Sequence, residues 1–436
     1  MQILISAHDF SPNPSPQSLR ITQLATELAN GGFEIDVLTR TVGAGMQFQP
    51  EPIGVQVHRA APGWLEAALD AVSTRLRRRT GRARDASEDE RAAGSAKTAA
   101  LLNWKGRWVL RLRAVVDAAV FPDGRSRWIT HALREGRRLL LQRRPQVIIG
   151  SHEPAAGLMV ALTLSRESGV PLVSELGDPV LTAYTPKRWM QRSFALERRV
   201  CRESAALIVT SEATAELLRQ RHGEDIAPIT VIPQGFPVAA VSAPVRTAFG
   251  NGLALVYTGR FYPFRDPAPL FEAVLATPGA TLTVAGPGIP PKFAALFAQH
   301  PEQLRYVGNK AHAAAVELQQ QADVLVSIGN AGMTQIPGKL LEYLGSGRPV
   351  LHLQPDQADA AAAIIRKEQC GFLVAPQAGQ LAELLRDLVQ RKQQGRLEAG
   401  LRLGAETFAE YRWDRLAARL AEVCRAAAAA GTRHRD

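Results

Sequence analysis

The stretch that decides the fold is Ile3-Leu-Ile-Ser-Ala7, followed by a helical segment at Leu19–Asn30 and a second apolar run at Ile35-Asp-Val-Leu-Thr39. The two apolar runs are short and bounded by loops, which is typical of buried strands. The middle segment has the apolar spacing of a helix, and Gly31-Gly32 ends it. The order strand, helix, strand predicts a βαβ unit, which is the start of a doubly wound parallel sheet.

The same alternation continues along the chain in two series. A chain of 436 residues is too long for one compact core, so two domains are expected. A proline-containing stretch of small residues up to about Gly250 predicts a linker between them. Two α/β halves joined by a linker would form a cleft, the usual place for a ligand. The further predicted strands are Val147–Ser151, Pro171–Glu175, Ala206–Thr210, Ile229–Pro233, Ala254–Thr258, Thr281–Ala285, Leu304–Val307, Val324–Ile328, Pro349–Leu353 and Gly371–Val374.

Composition restricts the class of protein. No run approaches the roughly 20 apolar residues that span a bilayer, and the N-terminus leads directly into a strand, so a cytoplasmic protein is expected. The three cysteines, Cys201, Cys370 and Cys424, form no CxxC pair, which argues against a disulfide framework or a zinc site. The formal net charge of +11 favours anionic partners such as phosphorylated ligands.

A basic insertion interrupts the first series at about residues 61–120. It carries a cluster of arginines between Arg75 and Arg84, and Trp64, Trp104 and Trp108 lie in the same insertion. Basic clusters near aromatic residues fit contact with an anionic membrane surface or a polyanionic acceptor. A solvated excursion without a ligand explains the charge equally well. Nucleic acid is not expected as a partner, because no recognition motif accompanies the charge.

The segment richest in candidate binding residues is Pro337-Gly-Lys-Leu-Leu-Glu342, which follows a predicted strand and a glycine-containing loop. Its proline predicts a helix start, where free N–H groups and the positive end of the helix dipole suit a diphosphate. Lys339 adds a positive charge there. Glu342 lies on nearly the same face, where it could accept hydrogen bonds from ribose hydroxyls. An ordinary surface ion pair between Lys339 and Glu342 is the alternative interpretation.

A Walker A loop is the obvious competitor for this segment, and its spacing does not fit. Gly332 and Gly338 enclose five residues, whereas the Walker A motif has four between its glycines. Leucine follows Lys339, where the motif requires serine or threonine. The segment is therefore not predicted to be a nucleoside-triphosphate loop.

Two more loops follow predicted strands of the second series. Gly259 and Arg260 come directly after one strand and Arg265 lies in the same loop, where its planar fork would suit phosphate oxygens. Gly286 begins a Gly-Pro-Gly sequence at the end of the next strand. A simple turn is the alternative there, since no GxGxxG sequence opens a helix after any strand.

The first series offers two further candidates at strand ends. His152 follows a predicted strand and is well placed to meet a hydroxyl or a sugar ring, although a single histidine is more often structural. Asp178 also lies at a strand end, and a helix cap or turn residue before Pro179 is an equally natural interpretation.

The order of these motifs resembles that of the retaining glycosyltransferases of the GT-B fold, specifically the large family four. The resemblance covers most of the chain, with about residues 61–120 as the clearest exception. It implies two Rossmann-like domains facing each other across a cleft, at 1–240 and 241–412, and a helix at 413–436 that crosses back to the first domain. The sequences Ser151-His-Glu-Pro154 and Gly177-Asp-Pro179 look like those of members that build bacterial surface polysaccharides.

The resemblance also implies residue roles. In the first domain, His152 would lie beside the transferred sugar, and Ser15, Arg20 and Asp178 would approach the acceptor. In the second domain, Arg260, Arg265 and Lys339 would grip the donor diphosphate, and Glu342 would bind the ribose. His152 and these three cations form the predicted catalytic set. The remaining residues expected to line the donor are Gly259, Gly286, Thr334, Gly338 and Leu340.

Two positions depart from the family pattern. The family often has a glutamate eight positions before Glu342, in contact with the donor sugar, and Thr334 stands there in this chain. The loop from Pro12 to Ser18 lacks the paired glycines common in the family. Recognition of the sugar is therefore expected to differ, or the activity to be weaker.

The resulting hypothesis is an enzyme that moves a sugar from a nucleotide-diphosphate donor to a hydroxyl of a glycan or lipid-linked acceptor, with retention at the anomeric carbon. No cofactor and no metal are expected, because the cations would stabilise the departing diphosphate. A role in bacterial surface-polysaccharide synthesis and attachment to the inner face of the membrane through Arg75–Arg84 are expected. A sugar-nucleotide epimerase and a non-catalytic binding subunit on the same fold are the alternatives.

Overall fold

The structure is a computed structural model. It describes residues 1–13, 15–41, 51–60, 121, 127–182, 185–236, 252–262, 265–329, 336–357, 359–403 and 405–433. Within these ranges no helix combines the length and the apolar character needed to cross a bilayer. The chain divides into two compact units. The first contains residues 1–209, 215–231 and 418–436, and the second contains residues 210–214 and 232–417.

The first unit is built on a seven-stranded sheet in the order β3-β2-β1-β4-β5-β6-β7, with every pair parallel. Its strands are β1 (Gln2–Ser6), β2 (Glu34–Arg40), β3 (Val55–Ala60), β4 (Val147–His152), β5 (Leu172–Leu176), β6 (Ala206–Val209) and β7 (Ile229–Val231). The helices between them are α1 (Pro16–Asn30), α2 (Arg127–Arg143), α3 (Ala155–Ser168), α4 (Met190–Glu203) and α5 (Glu212–His222). Strands β4, β5 and β6 are buried along their whole length, as in a sheet covered by helices on both faces.

The second unit repeats this plan on a six-stranded parallel sheet in the order β10-β9-β8-β11-β12-β13. Its strands are β8 (Leu253–Thr258), β9 (Ala280–Ala285), β10 (Leu304–Tyr306), β11 (Val324–Ile328), β12 (Val350–Leu353) and β13 (Gly371–Val374). The helices that follow β7 along the chain are α6 (Ala268–Leu275), α7 (Ala294–Gln299), α8 (His312–Gln321), α9 (Gly338–Gly345), α10 (Ala360–Glu368), α11 (Ala378–Gln393) and α12 (Trp413–Arg433). In both units the first strand lies in the middle of the sheet, which is the doubly wound order.

Local sequence explains why the first helix begins and ends where it does. Ser15 is the N-cap of α1, and its hydroxyl accepts a hydrogen bond from the backbone N–H of Ser18 at 3.1 Å. Pro16 occupies the first turn, where its missing N–H costs nothing. At the other end, the N–H of Gly31 donates to the carbonyl of Glu27 at 3.0 Å. The predicted βαβ unit is therefore confirmed, and the parallel pairing places Ile3 beside both Ile35 and Val147.

Every strand predicted from the sequence is present within one or two residues, and the predicted architecture of two parallel-sheet domains is confirmed. The prediction missed β3. This strand lies at the edge of the sheet and is mostly only partly buried, because its sequence Val55-Gln-Val-His-Arg-Ala60 alternates with polar residues. An edge strand needs no continuous apolar run, so its signal in the sequence is weak.

Separate apolar cores support the two sheets. The core of the first unit includes Leu4, Trp128 and Leu176, and that of the second includes Leu255, Phe271 and Val326. The final helix α12 begins in the second unit, and its residues from 418 onward belong to the first. Arg419 donates to the carbonyl of Val231 there, and the Arg425 guanidinium lies 5.1 Å from the Phe33 ring centroid.

The three cysteines are free and buried. Burial raises the pKa of each thiol to about 12, so they are protonated at neutral pH.

Candidate functional site

The carboxyl end of β8 forms a tight turn against the end of β9. Gly259 has a φ of 152°, and its N–H donates to the carbonyl of Ala285 at 2.9 Å. A Cβ on Gly286 would lie 2.0 Å from the carbonyl oxygen of Gly259, so only glycine fits there. The hydroxyl of Tyr306 donates to the carbonyl of Gly286 at 3.0 Å. The predicted residues Gly259 and Gly286 therefore meet as two parts of one close backbone contact.

The two arginines of this loop are connected through Tyr257. The Tyr257 hydroxyl donates to the carbonyl of Arg260 at 2.8 Å and receives a hydrogen bond from Arg265. Burial raises the pKa of Tyr257 to about 12, against the opposing effect of the Arg265 charge and hydrogen bond. The Arg265 guanidinium also lies 5.0 Å from the Tyr262 ring centroid. Both side chains are only partly buried, so two positive charges are presented at the carboxyl end of β8.

The predicted donor helix is α9, and it begins as expected after Pro337. Gly338 is exposed, and a Cβ built there has no atom within 4 Å, so the helix start is open on that side. Lys339 Nζ lies 2.9 Å from Oε1 and 2.8 Å from Oε2 of Glu342, and the lysine side chain is 39% exposed. The side chain of Leu340 is fully buried in an apolar cluster, so any contribution of Leu340 to a donor site is through packing.

A buried polar network connects α9 to the end of β8. The Tyr343 hydroxyl accepts from the N–H of Thr258 at 2.9 Å and lies 3.1 Å from its Oγ1. Gln319 Nε2 donates to Thr258 Oγ1 at 2.9 Å and to Glu342 Oε1 at 2.6 Å. Burial raises the pKa of the Tyr343 phenol well above its usual range, so the hydroxyl stays neutral. The predicted diphosphate loop and ribose-binding carboxylate are thus held by one set of hydrogen bonds.

In the first unit, His152 is the last residue of β4 and is 4% exposed. Its Nδ1 lies 2.8 Å from the backbone carbonyl oxygen of Asp178. Because a carbonyl oxygen only accepts, Nδ1 carries the hydrogen. The carbonyl of His152 in turn accepts from the N–H of Gly177 at 3.1 Å. The structure therefore brings the predicted residues His152 and Asp178 together, with Asp178 acting through its backbone.

The chain beyond Asp178 is fixed by a buried ion pair. Glu197 is 0% exposed, and its Oε2 accepts from the N–H of Leu181 at 2.8 Å. Arg221 Nη1 donates to the carbonyl of Leu181 at 2.7 Å and to Glu197 Oε1 at 3.1 Å. His222 Nε2 lies 2.9 Å from the same Oε1. Both backbone groups of Leu181 are thus occupied, which restrains the segment that carries the Asp178 carbonyl.

The resemblance predicts that Arg20 and Ser15 approach the acceptor, and in the structure each has a structural partner within the first unit. Arg20 is 1% exposed, and its Nε donates to Oε1 of the fully buried Glu175 at 2.7 Å. Gln17 and Ser151 donate to the other oxygen of Glu175. Ser15 caps α1, as described above. These contacts bury the Arg20 guanidinium inside the first unit, and the acceptor roles of Arg20 and Ser15 stay predictions.

A second polar group at the end of β1 did not stand out in the sequence. His8 Nδ1 lies 2.8 Å from Asp9 Oδ1, and Arg40 Nε donates to the same oxygen at 3.2 Å. The His8 ring packs edge-on against Trp128 at 5.3 Å between centroids. His8 and Asp9 are both more than nine-tenths buried. The carboxyl ends of β1, β4 and β5 are therefore all polar, as expected for the functional edge of a parallel sheet.

A serine, a histidine and an aspartate also line up in the second unit. His352 Nδ1 lies 3.0 Å from Ser327 Oγ, and its Nε2 lies 2.9 Å from Asp359 Oδ2. This order resembles a hydrolytic triad, but His352 is fully buried and Ser327 is 4% exposed. In a hydrolytic triad the aspartate pairs with Nδ1 and the serine with Nε2, whereas here the two partners are exchanged, so the group does not have the geometry of such a triad. Asp359 also caps α10 through the N–H groups of Ala361 and Ala362.

The predicted linker up to about Gly250 lies outside the described residues, and so do two further predictions. These are Thr334 and the basic insertion, including Arg75–Arg84. Among the residues that the structure describes, no three His, Cys, Asp or Glu side chains are grouped as metal ligands would be. The expected independence from metal stays a prediction.

Five residues of these hydrogen-bond networks were not predicted from the sequence: Gln319, Tyr257, Tyr343, Glu175 and Glu197. Gln319 is one of three consecutive glutamines at the end of α8, and nothing local distinguishes it from its neighbours. Glu175 could have been recognised from the sequence, because it is a charged residue within the apolar strand Leu172–Leu176. A charged residue within a buried strand requires a partner, and that requirement could have pointed to it.

Two family models match the sequence. The model described as Glycosyltransferase Family 4 matches residues 83–239, and the one described as Glycosyl transferases group 1 matches residues 252–391. The first match begins inside the segment that the sequence analysis set apart as an insertion. By sequence, no curated protein matches this chain significantly.

Several solved structures share the fold over nearly the whole chain. Sucrose-phosphate synthase from Thermosynechococcus elongatus has a TM-score of 0.67 at 16% identity, covering 98% of this chain and 99% of the other. The Anabaena protein HepE in complex with UDP has a TM-score of 0.63 at 14% identity, covering 97% and 99%. WaaG, a glycosyltransferase involved in lipopolysaccharide biosynthesis, has a TM-score of 0.59 at 13% identity, covering 97% and 99%. At these identities the likeness shows the fold.

The two matched models lie in order along the chain, one in each half, on the two parallel-sheet domains described above. The chain is a glycosyltransferase of the GT-B fold, with a family 4 domain followed by a group 1 domain.

Proposed function

We propose that this enzyme transfers a sugar from a nucleotide-diphosphate sugar to a hydroxyl of a glycan or lipid-linked acceptor, with retention at the anomeric carbon. The observation that carries the proposal is the connected set at the end of β8 and the start of α9. Arg260 and Arg265 are partly exposed beside the backbone turn at the end of β8. Buried hydrogen bonds connect this strand end to Glu342, which forms an ion pair with Lys339 at the open start of α9. Cations beside a helix N-terminus suit a diphosphate, and a carboxylate nearby suits ribose hydroxyls.

The cations would act on the leaving group. As the bond between the anomeric carbon and the phosphate oxygen breaks, negative charge grows on the diphosphate. Arg260, Arg265, Lys339 and the α9 start would stabilise that charge, which is the type of interaction that usually contributes most to catalysis. The acceptor oxygen would form its bond on the face that the diphosphate leaves, and its proton would pass to a phosphate oxygen. With these cations in place, we propose that no metal or cofactor is needed.

His152 would act on the sugar. Its Nδ1–H is held by the carbonyl of Asp178, which fixes the ring orientation and leaves Nε2 as the atom that can meet a sugar hydroxyl. Leu181, fixed by Glu197 and Arg221, restrains the same segment. An imidazole ring held in one orientation would position the transferred sugar, because the ring does not have to reorient before it contacts the sugar.

The comparisons support the class of donor. HepE has been solved with UDP, with UDP and glucose, and with UDP-glucose. WaaG is involved in lipopolysaccharide biosynthesis. For this chain we propose a nucleotide-sugar donor of the same class and a role in bacterial surface-polysaccharide synthesis.

Thermal shift and product analysis test the proposal together. The full-length protein is screened against UDP-, GDP-, ADP-, dTDP- and CMP-sugars, since a ligand at about 100 times its dissociation constant stabilises by about 2.7 kcal/mol. The donor that raises the Tm is then incubated with candidate acceptors, and NMR of the anomeric proton reads the configuration of the product. Retained configuration supports the proposal, and inverted configuration contradicts its stereochemistry. If no sugar nucleotide binds or reacts, the proposal fails.

The epimerase alternative gives a different result in the same experiment. Incubation with the donor alone would convert the sugar into an isomer, with no acceptor present. A transferase leaves the sugar unchanged or hydrolyses it slowly. If an isomer appears, the activity is epimerisation and not transfer.

We also propose that the enzyme works in the cytoplasm at the inner face of the membrane, attached through the basic insertion. The support is the sequence between Arg75 and Arg84 and its neighbouring tryptophans. Deletion of residues 75–84 should release the protein from vesicles that contain anionic lipid. Unchanged sedimentation with those vesicles would contradict this attachment.

A further inference from the structure

Gln319 lies on the inner face of α8 and is 1% exposed. Its Nε2 is 2.6 Å from Glu342 Oε1 and 2.9 Å from Thr258 Oγ1. A carboxylate only accepts hydrogen bonds, so the amide nitrogen must face Glu342. This orientation leaves Gln319 Oε1 buried without a hydrogen-bond partner among the described residues. An unpaired buried acceptor is costly, and in a native protein it calls for an explanation.

Within the described part of the chain, Gln319 and Lys339 both donate to Glu342, and these two donors differ in kind. Lys339 Nζ contacts both of its oxygens, at 2.9 and 2.8 Å, and Gln319 contacts Oε1. The Lys339 side chain is 39% exposed and free to follow a phosphate, whereas Gln319 is enclosed. If Lys339 turns to a diphosphate, Gln319 still holds Oε1 in place. A neutral amide also leaves the negative charge of Glu342 available to a ribose hydroxyl.

The second partner of Gln319 connects it to the diphosphate loop. Thr258 precedes Gly259 and Arg260, and its N–H and Oγ1 both lie within hydrogen-bond distance of the Tyr343 hydroxyl. Gln319 therefore fixes Glu342 relative to the same strand end that carries Arg260. This arrangement fixes the position of the proposed ribose-binding carboxylate relative to the proposed diphosphate-binding loop.

We propose that Gln319 is a positioning residue that orients Glu342 and thereby makes the donor site prefer ribonucleotides to 2′-deoxyribonucleotides. The proposal rests on the proposed nucleotide-sugar function. A site built to bond a hydroxyl rejects the analogue that lacks it, because its polar groups are then left unpaired. A carboxylate that has lost its orientation would bond the hydroxyl less well and discriminate less.

The test compares two ligands on two proteins. The nucleoside diphosphate that binds the full-length enzyme, and its 2′-deoxy analogue, are titrated calorimetrically into wild type and into Gln319→Met, which keeps the length of the side chain but has no amide. Wild type should prefer the ribonucleotide by at least about 10-fold. In Gln319→Met the preference should fall by about 5-fold or more. The affinity for the deoxy analogue should change by less than about 2-fold.

Matched variants separate positioning from general stability. Gln321→Met makes the same substitution on the same helix and should keep the wild-type preference. If Gln319→Met does not fold, Gln319→Asn keeps a buried amide that is one methylene too short to reach Glu342, and it should show the same loss of preference.

The possible outcomes distinguish failure of the inference from failure of the proposed function, and wild type that binds without preferring the ribonucleotide overturns the inference. A folded Gln319 variant that retains the ribose preference overturns the inference and leaves the proposed function standing. A variant that loses affinity for both ligands equally also overturns it, since a merely structural role predicts that result. Wild type that binds no nucleoside diphosphate overturns the proposed function, and the inference with it.

Discussion

Lys339 and Glu342 form an ion pair in which the lysine nitrogen contacts both carboxylate oxygens, at 2.9 and 2.8 Å. The two residues that the sequence assigns to the diphosphate and to the ribose therefore neutralise each other one helical turn apart. The alternative of an ordinary surface ion pair does not account for Gln319, which adds a buried donor to the same carboxylate. Such an additional buried donor fits a carboxylate whose position matters.

Replacing Lys339 with methionine should weaken binding of a nucleoside diphosphate by about 10-fold or more, because a hydrogen bond to a charged group contributes about 1.5–3 kcal/mol. The corresponding nucleoside, which has no phosphate, should lose much less affinity. Calorimetric titration of both ligands measures the difference. Lys367→Met, which removes a lysine paired with Glu410 on another helix, is the charge-matched control. An equal loss for the nucleoside would contradict a phosphate role for Lys339.

Replacing His152 with asparagine should lower kcat by roughly 10²-fold while the protein stays folded. The asparagine amide can still donate to the carbonyl of Asp178 from near the position of Nδ1, but nothing replaces Nε2. Steady-state kinetics with the identified donor measure the effect, and circular dichroism checks the fold. His131→Asn, on α2, is the control. Full activity in His152→Asn would show that His152 serves only to hold the loop.

Replacing Arg20 with methionine should destabilise the first unit by about 3–5 kcal/mol, because Glu175 would be left as a buried charge without its main partner. Urea denaturation measures the change. Arg137→Met breaks an ion pair with Glu167 in which the two side chains are 54% and 41% exposed, and it should change stability little. A stable Arg20→Met protein with a raised KM for acceptor would instead support the acceptor role that the family resemblance implies.

Replacing Gly286 with alanine should destabilise the second unit by about 1–3 kcal/mol or more, because the new methyl would lie 2.0 Å from the carbonyl oxygen of Gly259. Thermal unfolding and nucleotide titration measure both effects, since the turn that carries Arg260 must shift. Gly288→Ala changes the other glycine of the same turn, where a Cβ meets nothing within 4 Å, and it should be tolerated. Equal stability of the two variants would exclude the backbone contact as a constraint.

Asp36 should make the first unit sensitive to acid. Burial would raise the pKa of this carboxyl, but hydrogen bonds from His58 and Gln2 and the charge of Arg143 outweigh it, so its pKa is lowered below the ordinary 3.8. A lowered pKa in the folded state means that the ionised form stabilises the protein. That stabilisation is complete well above 3.8 and is lost as the pH falls through the folded-state pKa.

Denaturation of wild type and Asp36→Asn across pH measures this contribution. The difference in unfolding free energy should shrink below about pH 4. Asp266→Asn, at a side chain that is 61% exposed, is the surface control. A difference that persists unchanged down to about pH 2 would assign the effect to packing instead of ionisation.

Much of the fold follows from local patterns in the sequence. Apolar runs such as Ile3–Ala7 and Val324–Ile328 form strands because a buried parallel strand needs both faces apolar, and Pro337 marks a helix start by its own chemistry. The same logic places His152, Arg260 and Lys339 at strand ends or at a helix start, where parallel sheets bind ligands. Strand β3 was not predicted, because an edge strand does not need a continuous apolar run.

The sequence by itself determined the two doubly wound halves and the location of Pro337–Glu342 at a helix start, since each depends on residues a few positions apart. Only the tertiary structure decided which polar groups are paired. Arg20 meets Glu175 across 155 positions, and Gln319, one of three consecutive glutamines, meets Glu342. Such pairs form because a buried charge or amide must be satisfied by whatever segment the packing of the sheet brings beside it. Patterns that extend over a few residues do not identify this distant segment.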